Sequence, residues 1–583
     1  MIDLPNPTAP IRPRWNAADI AAFVAIAVIV VIGTLLRWGA LGRESFWFDE
    51  GYTAWAVSLP PVRMLKVIRA DVSPPGYYFL LHYWAAMFGQ SEIALRSMSA
   101  FSSTLSMGVF WLLARRVLRE RVAVVVAMGL FALSVMQIEY AKDARFYTLV
   151  TFLSLVSLYA LHVFLDLRSR GKFSAVCMAA IVLSSALNIY SHNLMMLYVG
   201  MLNVLWLILP AREGAKLGLK QRLLDLILAD AMIGLLYLPW LPGLLGQLHR
   251  VHGDFWASPP TPFQLFDEFA LLAGVKNHYP TWMFYRVPVL YQYTAETVIG
   301  ITVGVAAIFL LREVIKPIAK RSGDLLALTT YAVAPVIAVW LISRHARPLF
   351  IDRIFIASCP IFPLIFAAPF ARVGASRASK IFAGCLVGLL AYWMALSVTG
   401  YWHEEHREDW RSAYDYVAGL PRQGRLIVFC ANEGEICFDY YANQHGNPVR
   451  PGETLGMPEG FFELDPPRTS RRVLSDSNLD RLKAAVNSGR YTRIVYVRCH
   501  DGYSDPGGRV IAYLESRCHL IVEHSLAEGV LVYEFAPGPT GGVGAALISH
   551  GFSSGKSIVA CYIPPDGHGD CPAVAGVAAG RFS

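Results

Sequence analysis

The chain has 583 residues, of which 55% are hydrophobic and only 16% charged, with a formal net charge of +8. Ordinary soluble domains carry roughly 25% charged residues, so this composition excludes a soluble enzyme. The basic excess falls mostly in short connections between apolar stretches and has no basic-aromatic patch beside it, so no nucleic-acid partner is expected.

A bilayer core about 30 Å thick needs about 20 mainly apolar residues per spanning helix. Eleven stretches meet or approach this: 18–38, 93–114, 122–138, 148–165, 173–189, 194–210, 224–244, 291–311, 325–342, 354–371 and 381–400. Every second connection is basic, beginning with Arg12 and Arg14 and continuing with Arg115, Arg116, Arg119 and Arg121. Basic residues are retained on the cytoplasmic side, which predicts a cytoplasmic N-terminus and an external location for everything after Gly400. The expectation is a multi-pass protein of the cell (inner) membrane. Its first stretch is long enough to span and shows no clean cleavage site, so it reads as a retained helix.

The first outer connection, 39–92, is patterned throughout. Asp49-Glu50 is preceded by Phe46-Trp47-Phe48 and followed by Tyr52 and Trp55. Carboxylates beside apolar surroundings are costly unless paired or functional, so this pair is the first candidate for chemistry, with a general base as its natural role. A capping Asp49 with a solvated Glu50 is the competing reading. Pro60-Pro61 opens an amphipathic segment whose Val62, Leu65 and Ile68 are expected to face lipid. A second apolar segment, Tyr77 to Trp84, is shorter than a span, and both read as helices lying in the membrane surface. Between them, Asp71 precedes Ser73-Pro74-Pro75, where the prolines fix an extended turn. Asp49 and Asp71 from one loop suit a divalent metal ion, or a division of base and orienting roles; a mere turn-former at Asp71 is the alternative.

Cations on the outer side break the charge pattern and need a reason. Lys142 and Arg145 lie in Glu139–Tyr147, and Arg347 and Arg353 lie in Ser343–Arg353, both at outer helix junctions. A guanidinium fork suits paired phosphate oxygens, and a lipid phosphate sits at this depth; pairing with neighbouring carboxylates is the plain alternative. Tyr52 and His192 are weaker candidates for donor or acceptor contact. A second outer loop, 245–290, carries Phe255, Trp256, Tyr279, Trp282, Phe284 and Tyr285, which read first as an interfacial belt. Asp230, inside a span, reads first as paired within the bundle and second as a hint of a transport pathway.

After residue 402 the composition turns polar. Residues 403–537 read as an external α/β domain with strands at 426–429, 494–497, 520–522 and 531–533 and helices at 409–420, 479–486 and 510–516; 538–583 is a Gly/Ala-rich tail with little packing expected. Cys430, Cys437, Cys499, Cys518, Cys561 and Cys571 are an even set in an oxidising compartment, which suggests disulfides of undetermined pairing.

These motifs together resemble the GT-C superfamily of glycosyltransferases that use polyprenyl-phosphate sugars. Within it they are similar to the family 39 group of protein O-mannosyltransferases and aminoarabinose transferases. The likeness rests on Phe46–Tyr52, Asp71–Trp84 with Phe88–Glu92 and Leu95-Arg96, Lys142–Tyr147 and the Arg353 junction. It implies a GT-C-like bundle of about 11 transmembrane helices with interfacial helices in the first outer loop, plus the external α/β domain. It implies Asp49, with Glu50 adjacent, as base or orienter, Asp71 as a residue that helps the site or binds metal, and Lys142, Arg145 and Arg353 on the lipid phosphate, to which the charge pattern adds Arg347. The implied partners are a polyprenyl-phosphate-sugar donor and a glycan, lipid or protein acceptor, with no nucleotide cofactor. A transporter of lipid-linked sugars and a noncatalytic envelope assembly protein are the alternatives from other classes.

Overall fold

The computed structural model describes residues 16–71, 73–210, 217–251, 259–274, 323–371, 377–403, 407–449, 452–458, 473–526 and 529–538. The expected span 291–311, the aromatics Phe255, Trp256, Tyr279, Trp282, Phe284 and Tyr285, and the tail beyond residue 538 lie outside the described residues. The described chain forms two compact units that divide between Arg407 and Glu408.

The first unit is a multi-pass membrane bundle. Among the described residues, six of its helices are long and apolar enough to cross a bilayer, and two bent pairs, Arg121–Ala132 with Val135–Lys142 and Asp352–Ser358 with Ile361–Ala371, raise this to as many as eight. The shorter apolar helices Ala175–Ser191 and Met195–Ile208 coincide with two further expected spans.

Helix α1, Ala17–Trp38, begins at a capping box in which the Asn16 side chain accepts from the Asp19 amide. Its Phe23, Val24, Val28, Val31 and Leu35 are exposed, as lipid-facing side chains must be. Its one buried cation, Arg37, donates to Ser103 Oγ at 2.9 Å and to the carbonyls of Ala132 and Phe131 at 3.1 Å. That satisfies a charge inside the bundle and ties α1 to α5, Glu92–Leu118, and to the helix Arg121–Ala132.

Between α1 and α5 run three shorter helices, α2 (Phe48–Ser58), α3 (Pro61–Ala70) and α4 (Gly76–Phe88). Pro61 begins α3 because its missing N–H falls where no intrahelical acceptor exists. Val62 and Leu65 on α3 are exposed, but Ile68, expected to face lipid with them, is fully buried and shares the inward face with Met64 and Val67. Pro74-Pro75 then delivers the chain into α4 against the helix Ala175–Ser191. A Cβ at Gly76 would stand 2.8 Å from the Tyr190 carbonyl oxygen, so only glycine permits this approach.

The second unit is a five-stranded mixed sheet of order β2-β1-β3-β5-β4, formed by β1 (Arg425–Cys430), β2 (Thr454–Met457), β3 (Arg493–Arg498), β4 (Cys518–Ser525) and β5 (Leu531–Pro537). Strands β1, β2 and β3 run parallel, and β5 pairs antiparallel with both β3 and β4. Successive side chains of β1 alternate between two cores. Ile427 and Phe429 pack with Trp410 and Phe438, whereas Leu426 and Val428 pack with Leu482 and Leu514. Helices Trp410–Gly419 and Gly434–Gln444 therefore cover one face, and Asp476–Asn487 and Arg509–Arg517 the other. Cys430, Cys437, Cys499 and Cys518 are thiols, not the disulfides the composition suggested. Cys430 and Cys518 belong to one core, Cys437 and Cys499 to the other. Cys561 and Cys571 lie outside the described residues.

Gly76→Ala is expected to lower stability by about 1–3 kcal/mol, the usual consequence of overpacking, and thermal unfolding of the purified chain in detergent measures it.

Candidate active site

Glu50 and Asp49 occupy the first turn of α2 and point to different surroundings. Glu50 has no exposure to solvent. Arg96 of α5 grips it with two bonds, Nε to Oε1 at 2.7 Å and Nη2 to Oε2 at 2.6 Å, and the Ala144 amide donates to Oε1 at 2.8 Å. Arg407, just beyond the last helix of the bundle, donates to Oε2 as well. Burial alone would raise the Glu50 pKa, but the Arg407 and Arg96 charges outweigh it and hold the carboxyl below its ordinary range. Asp143 lies 3.6 Å from Arg407 and accepts from Trp47 Nε1 at 3.2 Å. Burial is the stronger influence on Asp143 and pushes its pKa up. With both oxygens engaged and no exposed surface, Glu50 ties the start of α2 to α5 and Arg407, whereas a role in the chemistry needs a carboxylate that a substrate can reach.

Asp49 is the exposed partner, its side chain 21% accessible, with one carboxylate oxygen 3.7 Å from both Arg145 and Arg353. Arg145 is fixed from below by Thr53 Oγ1 at 3.2 Å and by Tyr78 Oη and the Asp49 carbonyl at 3.3 Å. Arg353 lies over the Trp47 ring, 5.3 Å from its centroid. Burial pushes the Tyr78 hydroxyl up to about 12; the Arg145 charge opposes this, and the charges of Asp71 and Asp49 reinforce it. Asp71, half-buried at the C-terminal cap of α3, thus bears on the same hydroxyl as Asp49. Tyr52 meets Tyr78 edge-on at 6.3 Å and Trp55 at 5.8 Å.

His192 stacks on Phe146 at 4.5 Å, and its Nδ1 accepts from the Leu194 amide at 3.3 Å. Burial, with the charges of Arg145 and Arg353, lowers its pKa to about 3, so it stands as a neutral ring beside two guanidiniums. Gln247, which the sequence did not single out, joins the loops. It donates to the Ser73 carbonyl at 2.8 Å and accepts from Asn193 at 3.1 Å, coupling the Asp71 turn to the His192 turn.

Lys142 does not join Asp49. It lies over the rings of Trp402 and Tyr401, 3.8 and 4.9 Å from their centroids, and lines a small cavity with Arg43, Glu44, Arg96 and Arg407. A short helix turn ends at Lys142, whereas Arg145 follows the bend at Asp143, so the two side chains leave the backbone in different directions. Arg347 is half-buried past the end of its helix, and among the described residues its guanidinium has no side-chain partner. Asp230 accepts from Asn203 at 2.8 Å, an ordinary local pairing.

Asp49 and Asp71 make a poor cage for a divalent ion. Two guanidiniums crowd Asp49, and among the described residues these aspartates do not fall in a cluster of three or more His, Cys, Asp or Glu donors that could share one.

A family model described as dolichyl-phosphate-mannose-protein mannosyltransferase matches residues 72–240. The solved structure of ArnT from Cupriavidus metallidurans in the apo state aligns over 89% of this chain and 98% of its own, with 14% identity and a TM-score of 0.52. The chain has the GT-C fold. The same ArnT bound to undecaprenyl phosphate aligns over the same shares with 13% identity and a TM-score of 0.52. The archaeal oligosaccharyltransferase AglB from Archaeoglobus fulgidus, in complex with an inhibitory peptide and a dolichol-phosphate, aligns at 13% identity over 88% of this chain and 74% of its own, with a TM-score of 0.48. Among curated proteins, none matches the chain in sequence. In this bundle the connection between α1 and α5 carries Asp49 and Asp71, and two later helix junctions supply Arg145 and Arg353.

Glu50→Gln would leave Arg96 and Arg407 buried without their shared countercharge. Breaking a buried pair this way costs about 3–5 kcal/mol, so the variant is expected to unfold at a markedly lower temperature in detergent than the wild type.

Proposed function

We propose that this protein is a membrane glycosyltransferase that moves a sugar from a polyprenyl-phosphate-linked donor to an acceptor hydroxyl at the non-cytoplasmic face, with inversion at the anomeric carbon. The observation that carries the reading is the accessible Asp49 carboxylate set between Arg145 and Arg353. In this reaction the acceptor oxygen bonds to the anomeric carbon as the bond from that carbon to the phosphate oxygen breaks. Asp49 takes the acceptor proton, and polyprenyl phosphate departs. Charge develops on the departing phosphate, where preoriented guanidiniums stabilise it most. Arg145 and Arg353 are the groups in reach, with Asp71 and His192 completing the rim. The bound lipid phosphate would take over part of the pairing that the two arginines now give Asp49, leaving its carboxylate to face the acceptor.

The match at residues 72–240 to a mannosyltransferase family and the fold shared with an undecaprenyl-phosphate-binding ArnT support a lipid-phosphate donor carrying a hexose or pentose. The alternating basic connections support an inner-membrane topology with the N-terminus cytoplasmic and the α/β unit external, where it would meet a glycan, lipid or protein acceptor.

The test uses purified protein, a panel of polyprenyl-phosphate sugars and a membrane extract as acceptor, with released polyprenyl phosphate as the readout. Asp49→Asn is expected to lower turnover by about 10²–10⁴ while its melting temperature stays near wild type, because the Asp49 pairs are long and partly exposed. Equal turnover of the variant would remove Asp49 as the base. Donor translocation with no phosphate released would overturn the transferase reading in favour of transport.

A further inference from the structure

The α/β unit carries a cluster that the transfer chemistry does not use. In a sheet of this kind, the carboxyl ends of the parallel strands are where ligands bind. The segments leaving β1 and β3 meet there: the Cys499 amide donates to the Cys430 carbonyl at 2.8 Å, and the Ala431 amide to the Cys499 carbonyl at 2.7 Å. Cys499 is buried, and His500 after it adopts a left-handed backbone with φ 57°, rare for a residue with a side chain and concentrated at functional positions. That turn brings the imidazole outward to Glu408, whose Oε1 stands 3.0 Å from His500 Nε2. The other Glu408 oxygen accepts from Trp410 Nε1 at 2.6 Å, which fixes the carboxylate plane.

A carboxylate oxygen, a thiol sulfur and an imidazole nitrogen thus lie within 4.8 Å of one another. Donors around one zinc ion, at about 2.0–2.3 Å from it, stand roughly 3.3–3.8 Å apart, so a modest turn of the half-exposed His500 closes the set. We propose that Glu408, Cys499 and His500 hold one divalent ion of borderline softness, with zinc the best match to this mixed oxygen, sulfur and nitrogen set. On binding, the Cys499 thiol proton passes to solvent, the His500 ring takes the tautomer that carries its proton on Nδ1 and leaves Nε2 as a ligand, the three side chains coordinate the ion, and water takes the fourth position. The Trp410 bond to Glu408 then acts as the outer support that such ligands ordinarily have. The ion would clasp the start of the unit, at Glu408, to the end of β3. This assignment is independent of the transfer reaction.

The test titrates cobalt(II) into the full chain in detergent, since cobalt occupies zinc sites and a coordinated thiolate gives it a near-ultraviolet charge-transfer band. The wild type is expected to develop the band to one equivalent, with zinc displacing it. Cys499→Ser should abolish it. His500→Ala, altering a half-exposed side chain that leaves the core intact, should weaken cobalt binding at least tenfold. A band that persists undiminished in both variants, or none in the wild type, overturns the proposal.

Discussion

Withdrawing a carboxylate from water is unfavourable by several kcal/mol unless other charges and donors replace the lost hydration. Glu50 imposes that requirement on the whole membrane unit. Two arginines and a backbone amide meet it, and they come from α5, from the Asp143–Arg145 bend and from beyond the last helix of the bundle. Segments up to 357 residues apart in sequence are thereby drawn to one point. Asp143, held beside Arg407 and Trp47, extends the same network to the ring on which Arg353 rests.

The consequence for Asp49 is geometric. A helix turns about 100° per residue, so a residue next to a fully buried one in the first turn is carried to another face. Anchoring Glu50 therefore sets the direction of Asp49. The same bend that supplies the Ala144 amide to Glu50 delivers Arg145 to Asp49, so both sides of the candidate site derive from one buried anchor. Gln247 does comparable work at the rim, where one side chain holds the Asp71 turn and the His192 turn together.

The sequence made the apolar spans and the short helices between the first two of them legible, because each depends on local periodicity, and Asp49-Glu50 stood out as charges with no local partner. It did not distinguish the two carboxylates, since that depends on Arg407, a residue in the charged run His403–Asp409 with no local signal of its role. Lys142 looked equivalent to Arg145 for the same reason: their spacing is visible in sequence, but the bend between them is not. In the α/β unit the four strands with continuous apolar runs were legible. Strand β2 was not, because Thr454-Leu455-Gly456-Met457 is short and interrupted by glycine. The helix Gly434–Gln444 was hidden by Ile436, Phe438, Tyr440 and Tyr441, residues that favour strands in isolation; Phe438, Tyr440 and Tyr441 pack in one core with Trp410 and Phe429, which holds the segment as a helix.

Paired guanidiniums around a single carboxylate form a site that a lipid phosphate can complete, since the phosphate brings the negative charge the two cations lack. The central claim is that Arg145 and Arg353, and not Lys142, receive that phosphate. Binding of a polyprenyl phosphate to the detergent-solubilised chain, measured for wild type, Arg353→Ala and Lys142→Ala, tests it most directly. The account predicts at least tenfold weaker binding for Arg353→Ala and near wild-type affinity for Lys142→Ala; the reverse order, or no loss in Arg353→Ala, would contradict it.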